Sequence, residues 1–340
     1  MSDKLELLTL VDTLKAAAES SRLRILFLLA SGDLTVSDLT AILNQSQPRV
    51  SRHLKLLQEA GLVDRYQEGS WAFFRLAESD GARELILGLL ARIADDDPLV
   101  ERDIERLFGV RQKRQEKATH YFRSNASSWD EIRSLHVPDK AVEAALLDLV
   151  GTRPFQSMVD LGTGTGRLLE LFAPLYRRAV GIDMSREMLA VARANLERAG
   201  ITNAQVRQGD VYAPPVDRDA FDLVTVHQVL HYLDDPASVV KEAAKLLRPS
   251  GRLVIVDFAP HSHEFLREEH AHARLGFADR QIEDWLTEAG LELEDTLTFA
   301  PDNGNQGLTV KLWLGRDRRL LIADTAAAQS ARHPQASETV

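Results

Sequence analysis

The chain has 340 residues, 44% hydrophobic and 27% charged, with a net charge of -10 and no cysteine. That length suits about two domains of ordinary globular composition, and the missing cysteine excludes disulfides, thiolate metal sites and cysteine nucleophiles. No apolar run approaches the roughly 18 residues of a membrane span, and "MSDKLELLTL" lacks a cleavable signal pattern, so the expectation is a cytoplasmic protein with no membrane partner; its acid surplus confines any DNA contact to a local basic patch.

Residues 1–94 read as helix, helix, turn, helix and wing. In "TLKAAAESSRLRILFLLASGD" the apolar positions Leu14, Ala18, Leu23, Leu26 and Leu29 approximate helical spacing, and Gly32 ends the run. "TVSDLTAILN" follows, with Thr35 or Ser37 as N-cap. Pro48 suits the first turn of a helix over "SQPRVSRHLKLLQEAG", and Gly61 suits its C-cap. "LVDRYQEGSWAFFRL" alternates and turns at Glu68-Gly69-Ser70, a hairpin pattern. "GARELILGLLARIA" (81–94) is apolar enough to bury against a partner. Asp95, Asp96 and Asp97 then interrupt, and are read as a solvated junction rather than a metal site, with Asp97 as N-cap and Pro98 at the first position of a long charged helix to about Phe122.

From about residue 138 the pattern turns α/β. "SMVDL", "RAVGID", "AQVRQG", "FDLVTVH" and "RLVIVDF" are strand candidates separated by helical stretches, which predicts a doubly wound, mostly parallel sheet. "LELEDTLTF" and "LTVKLWLG" lack a crossover helix between them, which predicts an antiparallel edge. The predicted domains are 1–94 for DNA binding and dimerisation, 95–125 as helical connector and cap, 126–318 as the α/β domain, and 319–340 as an Ala/Ser-rich disordered tail.

On the helix starting near Pro48, Val50, Leu54 and Leu57 share one face, and Arg49, Ser51, Arg52 and Lys55 project from the other. Arginine matches guanine's major-groove edge, lysine matches phosphate, and Gln47 at the helix start can read adenine. His53 joins this candidate DNA-reading set, and Arg65 and Arg75 flank the hairpin where they can hold adjacent backbone. A basic solvated face is the alternative reading of the same spacing. The stretch from "DTLKAAAESSRLRILFLLASGD" to "SRHLKLLQEAGLVDRYQEGSWAFFRL" resembles the ArsR-type winged helix-turn-helix repressors over nearly the whole domain. That resemblance implies a homodimer on palindromic operator DNA, with residues 81–94 as the dimer helix. Metal-sensing members often place cysteines before the recognition helix; here "TVSDLTAIL" has none.

In "VDLGTGTG" an apolar strand meets Asp160 and then Gly162, Gly164 and Gly166, which let backbone approach a ligand at the strand's carboxyl end. Alone, such a loop can be a plain turn. The next strand ends at Asp183, 17 residues after Gly166, where a carboxylate can take both hydroxyls of a ribose, and the strand after it ends in Gly209-Asp210, suited to an adenine amino group. No lysine follows the loop, which disfavours a triphosphate. Residues 119–315 resemble the class I S-adenosylmethionine (SAM) dependent methyltransferases, through "VDLGTGTG", "GIDMS", "QGDVYAPP", "FDLVTVHQVLHYLDDP" and "LLRPSGRLVIVDF". The resemblance implies a Rossmann-like fold, with Asp160 meeting the ligand's ammonium, Gly162 and Gly164 its methionine part, Asp183 its ribose, Met184 and Asp210 its adenine, His227 beside the sulfonium, and Val211 in the same cofactor-binding set. It also implies that Tyr121, in "HYFRSNASSWD", closes over the site.

Methyl transfer needs alignment and dryness, and needs a base only where the acceptor must lose a proton. His231 is the candidate base, with a packed histidine as the alternative. "HSHEFLREEHAHARLGF" is read as a helical lid placing His270 and Arg274 on an acceptor, and metal binding there is not expected. The functional expectation is a transcriptional regulator that binds operator DNA and methylates a small molecule from SAM. The alternative is a repressor that senses SAM or S-adenosylhomocysteine (SAH) without turnover.

Overall fold

Thr35 caps the first helix of the helix-turn-helix, as expected. In the computed structural model, which describes residues 5–68, 70–77, 80–94, 96–126, 129, 139–300 and 307–319, its hydroxyl accepts from Asp38 N–H at 3.2 Å, and Asp38 accepts in return from Thr35 N–H at 2.9 Å. Two compact units are formed, Met1–Ala118 with Ser262–Leu275, and Thr119–His261 with Gly276–Val340.

In the first unit, α1 (Leu7–Ala17), α2 (Ser20–Leu29), α3 (Val36–Leu43), α4 (Gln47–Glu59) and α5 (Asp80–Leu90) surround a core that includes Ile25, Leu26, Leu39, Ile42, Leu54 and Leu57. Full burial of such a side chain contributes about 1.5 to 3 kcal/mol. Asn44, left-handed at φ 53°, turns the chain from α3 into α4, and Pro48 occupies the first turn of α4. The expectation that 81–94 buries against a partner is corrected in part, because Ala82, Ile86 and Leu90 pack into the unit's own core. α6 (Pro98–Asn125) starts under the Asp97 cap, which accepts from Leu99 and Val100 N–H at 2.9 and 3.2 Å. Asp103 on this helix takes both Nε and Nη2 of Arg24 at 2.6 Å each, and its side chain is only 2% exposed.

β1 (Leu34–Thr35), too short to be predicted, joins β2 (Val63–Glu68) and β3 (Trp71–Leu76) in an antiparallel sheet of order β1-β3-β2. One face of the β2–β3 ribbon sends Val63, Phe74 and Leu76 into the core. Tyr66, Trp71 and Phe73 lie on the other, because opposite positions pair as Tyr66 with Phe73 and Glu68 with Trp71. The segment Ser262–Leu275, which carries α11 (Phe265–Glu269), covers that outer face within the same unit. The Arg267 guanidinium lies 4.6 Å from the Trp71 ring centroid and donates to Glu68 Oε1 at 2.7 Å. Arg274 lies 4.5 Å from the Phe73 centroid and donates to Tyr66 Oη at 2.9 Å. Ring faces and carboxylates together offset the loss of water from these two buried cations.

The second unit is the predicted Rossmann-like sheet. Strands β4 (Phe155–Leu161), β5 (Tyr176–Asp183), β6 (Ala204–Gln208), β7 (Phe221–His227) and β8 (Leu247–Phe258) are parallel, and β9 (Leu291–Phe299) and β10 (Val310–Asp317) complete the order β6-β5-β4-β7-β8-β10-β9. β10 is antiparallel to both neighbours, as expected at the edge. α7 (Asp139–Val150), α8 (Arg167–Leu171), α9 (Arg186–Arg198), α10 (Pro236–Leu246) and α12 (Asp279–Glu288) are the helices described around it. The expected helix between β6 and β7 does not form, since residues 209–220 are turns and bends in which Pro214 and Pro215 cannot donate helical hydrogen bonds. Val159, Leu161, Val224, Val226, Ile255 and Trp313 lie in the core. Among the described residues no helix is long and apolar enough to cross a membrane.

Arg24→Ala should destabilise the first unit by about 3 to 5 kcal/mol, because it leaves the buried Asp103 carboxylate without its partner. Denaturant unfolding of the two proteins measures the difference.

Candidate functional site

Chain order reverses beside β4, whose neighbours are β5 and β7, and the crevice at such a point is where sheets of this kind take ligands. β4 runs into Gly162, Gly164 and Gly166, all left-handed, with φ of 74°, 52° and 84°. A Cβ on Gly162 would also overlap Val229. The neighbouring strand holds this turn: Gly162 and Thr163 N–H donate to the Ile182 carbonyl at 2.8 and 2.9 Å, and Gly164 N–H donates to Asp183 Oδ2 at 2.9 Å.

Asp183 Oδ1 accepts from Ser185 N–H at 2.8 Å. A carboxylate offers about four acceptor sites, so Asp183 can still take a ligand hydroxyl. Burial raises the Asp183 carboxyl above its usual range, and the N–H groups of Ser185, Gly164 and Met184 oppose the rise. Asp160 is 2% exposed and takes the Thr225 hydroxyl at 2.6 Å. Burial pushes it up to about 6, against the hydroxyls of Thr225 and Thr163. Gly209 follows β6 in a position where a Cβ would meet Pro215 at 2.5 Å, and Asp210 Oδ1 accepts from Tyr212 N–H at 2.9 Å. Met184 is exposed, Val211 packs into the sheet core, and His227 ends β7 opposite Val256. The register thus gathers the carboxyl ends of β4, β5, β6 and β7 along one edge.

Tyr121, near the end of α6, stands edge-on to Phe122 and Trp129, with centroids at 5.8 and 6.3 Å. Trp129 Nε1 lies 3.7 Å from where a Cβ of Gly164 would be. His231 sits in a short turn over Leu230–Tyr232, 1% exposed, with Nδ1 2.8 Å from Asp257 Oδ1. Sequence reasoning missed Asp257, although "RLVIVDF" places an acid at a strand's carboxyl end just as "VDL" and "GID" do. It also missed Trp129, and Gln228, a buried residue at φ 54°, in the left-handed region that a non-glycine residue rarely adopts.

The lid expectation is corrected. α11 ends at Glu269, so His270 and Arg274 do not share a helical face, and Arg274 is 4% exposed inside the first unit, 3.7 Å from Asp33 Oδ2. The aromatic outer face of the wing, which the alternation of β3 creates, draws this segment away from the expected role.

On α4, Val50, Leu54 and Leu57 are buried, and Gln47, Arg49, Ser51, Arg52 and Lys55 are exposed together. His53 differs, because it turns inward with Nδ1 3.7 Å from Glu19 Oε2, and burial lowers its imidazole below the usual range. Arg65 is exposed and donates to Gln67 Oε1 at 2.9 Å. Arg75 pairs across the ribbon with Asp64 and Arg65 with Phe74, so the two arginines occupy opposite faces of the ribbon.

The bacterial regulatory protein model of the arsR family matches residues 19–65, and a methyltransferase domain model matches residues 155–300. The chain therefore joins an ArsR-type helix-turn-helix to a methyltransferase domain. It is 32% identical over 104 residues to the uncharacterized methyltransferase YcgJ of Bacillus subtilis, covering 30% of this chain and 41% of that one. It is 25% identical over 213 residues to a ubiquinone biosynthesis O-methyltransferase of Xanthomonas euvesicatoria, covering 58% of this chain and 85% of that one. The solved structure of YcgJ superposes with a TM-score of 0.46 at 20% identity, over 52% of this chain and 98% of that one. The chain thus spans about two fifths of the length of YcgJ in sequence.

Asp160→Asn should raise the stability of the ligand-free protein at pH 7 by about 1 to 3 kcal/mol. The sign follows from a folded value near 6 against 3.8: stability from this group is complete below about pH 4 and lost as pH rises through 6. Thermal unfolding from pH 4 to 7 should show the variant gaining on wild type as pH rises.

Proposed function

We propose that this chain is a transcriptional regulator whose first unit binds operator DNA and whose second unit binds SAM and transfers its methyl group to a small-molecule acceptor. The observation that carries the second half is the bond from Gly164 N–H to Asp183 Oδ2, which ties a left-handed glycine turn to the acid ending the next strand. Asp183 would hold the ribose, Gly162 and Gly164 the methionine part, Asp160 the ammonium, Met184 and Asp210 the adenine, and His227 would stand beside the sulfonium. The buried, partly neutralised Asp160 fits a cationic ligand group, whose arrival would restore its charge. SAM supplies an electrophilic methyl group; the residues bind it, orient the acceptor and exclude water. The O-methyltransferase named among the relatives supports turnover as well as binding.

The DNA half rests on the exposed set Gln47, Arg49, Ser51, Arg52 and Lys55, with three cations on one side of α4. Leu7, Leu8 and Leu14 on α1 and Leu87 on α5 are exposed, which supports a homodimer joined through these helices. A sensor without turnover is the second reading, and one observation favours it: the segment after β8, where an acceptor lid was expected, belongs to the winged unit. In both readings the chain itself links ligand and DNA, since α6 carries Asp103 in the first unit and Tyr121 in the second, and Ser262–Leu275 leaves and re-enters the second unit.

Asp183→Ala should weaken SAM binding by one to two decades or more, at roughly 1.5 to 3 kcal/mol for hydrogen bonds to a charged group. Calorimetry on the folded variant measures it, and unchanged affinity refutes the site. SAH at saturation should change operator affinity by roughly 5- to 150-fold, with operator DNA changing SAH affinity by the same factor. A DNA-binding titration with and without SAH reads this ratio; a value of one leaves a tethered enzyme and removes the sensor.

A further inference from the structure

The crossover from β6 to β7 is built of turns, and they cover only part of the sheet face over which a crossover helix would pack. Gly209, where a Cβ would meet both Pro215 and Ile182, lets the turns close over the carboxyl half of β5. Toward the amino end they leave a hollow of about 390 Å³, lined by Val180, Val216 and Phe221 and by three arginines, Arg177, Arg178 and Arg207. All of these residues belong to the second unit. Parallel pairing sets Val180 beside Gln205 and Ile182 beside Arg207, so Arg178, Val180 and Arg207 lie on one face of the sheet. Val180 and Val216 pack on the unit's core and give the hollow an apolar floor. The three arginines are exposed, and none makes an ion pair with a described residue; Arg207 donates to the neutral Gln205 Oε1 at 3.3 Å. Other arginines of this unit reach carboxylates, as Arg248 reaches Asp222, Arg316 Glu294 and Arg319 Asp219. Among the described residues, Asp217 is the only carboxylate lining the hollow, so three cations against one anion leave a surplus of positive charge there, in a chain of net charge -10.

We propose that this hollow is a second binding site, for a small phosphate monoester whose phosphate is held by Arg177, Arg178 and Arg207 and whose apolar body lies on Val180 and Val216. The site does not depend on the SAM reading. Arg177 and Arg178 begin β5 and Phe221 begins β7, whereas the glycine turn and Asp183 stand at the carboxyl ends of their strands. The strand between Arg178 and Asp183 spans roughly 17 Å, so one small ligand cannot fill both places. Guanidinium groups take phosphate oxygens through a forked set of donors that lysine lacks, and three of them match the three terminal oxygens of a monoester. A monoester near its second ionisation also carries close to two negative charges, which suits the surplus in the hollow; a carboxylate, with two oxygens and one charge, uses the set less fully. Nucleic-acid backbone is the competing polyanion, but it is tracked by cations repeated along a groove, each near a different phosphate. Here the three cations share one bounded hollow, of a volume at the lower end of the range of about 300 to 1,000 Å³ in which small molecules bind.

The probe is phenyl phosphate, titrated by calorimetry into the full-length protein at physiological salt. It should bind once per chain with a Kd below about 1 mM, and no binding at that level overturns the site. Phenol and inorganic phosphate should each bind at least about tenfold more weakly. Equal affinity for phenol would remove the role of the arginines, and equal affinity for inorganic phosphate would remove the apolar floor; either overturns the monoester class. Replacing two of the cations together, Arg178→Ala with Arg207→Ala, should weaken phenyl phosphate by at least about tenfold, and unchanged affinity overturns the assignment. Both side chains are exposed, so the fold should survive. Thr202→Glu, which puts a carboxylate at another exposed position lining the hollow, must show the same direction of change whether or not the double variant folds. Saturating SAH should leave phenyl phosphate affinity as it was; competition would place the phosphate at the glycine turn and overturn a second site. If the double variant lost affinity for duplex DNA while phenyl phosphate gave no signal with wild type, the arginines would belong to a nucleic-acid surface and the small-molecule reading would fall. Failure of SAM to bind, with phenyl phosphate still bound, would defeat the proposed function and uphold this inference.

Discussion

The parallel pairing of β4 with β5 on one side and β7 on the other is the constraint on which the second unit depends. Parallel strands bring their carboxyl ends to a common edge, so residues far apart in the chain meet there. Asp160 lies opposite Gly181 and Thr225, and Thr225 supplies the hydroxyl that satisfies it. Gly181 itself leaves room for Thr163, whose Oγ1 would lie 2.7 Å from a Cβ at that position. Threonine and glycine in the middle of two neighbouring strands are thus part of how the loop after β4 is seated. A one-residue slip in either register would turn Asp160 to the other face of the sheet.

The first unit answers a different constraint. A two-stranded ribbon has two faces, and only one of them can meet the helical core. The alternation that sends Phe74 inward leaves Phe73, Trp71 and Tyr66 on the outside. Arg267 and Arg274 cover these rings, and their charges are taken by Glu68 and Asp33. An arginine can serve this role where a lysine would serve poorly, because its planar group stacks on a ring and still donates in the ring's plane to acceptors. The covering segment comes from residue 262 onward, almost two hundred positions after the ribbon it protects.

Several groups at the candidate site oppose stability. Asp160 is raised to about 6 by burial, Asp183 is raised by the same cause, and Gln228 holds a backbone angle that suits glycine better. Elsewhere buried charges are closely matched, as in Arg24 with Asp103. Stability given up at one edge of a sheet, in groups of complementary chemistry, supports the proposal that this edge takes a ligand.

Local signals in the sequence were enough for the helix-turn-helix, the hairpin, the strands of the sheet and its antiparallel edge, because each depends on contacts within a few residues: the Thr35 box, Pro48 in a first turn, glycines at left-handed positions and period-two apolar runs. The acids at the ends of β4 and β5 were legible for the same reason, since a strand followed by a glycine turn or a cap announces its own end. Asp257 was not recognised as the partner of His231, because that pairing requires β8 to lie beside β7 in a register that no spacing states. His53 read as one of a cationic face until packing against Glu19 turned it inward. Arg274 read as a ligand contact until the outer face of the wing claimed it. The sequence by itself determined which elements form and where their ends offer backbone and charge; tertiary structure alone decided which of those charges stay at the sheet's edge and which are spent on burying another element, because burial depends on neighbours that are distant in the chain.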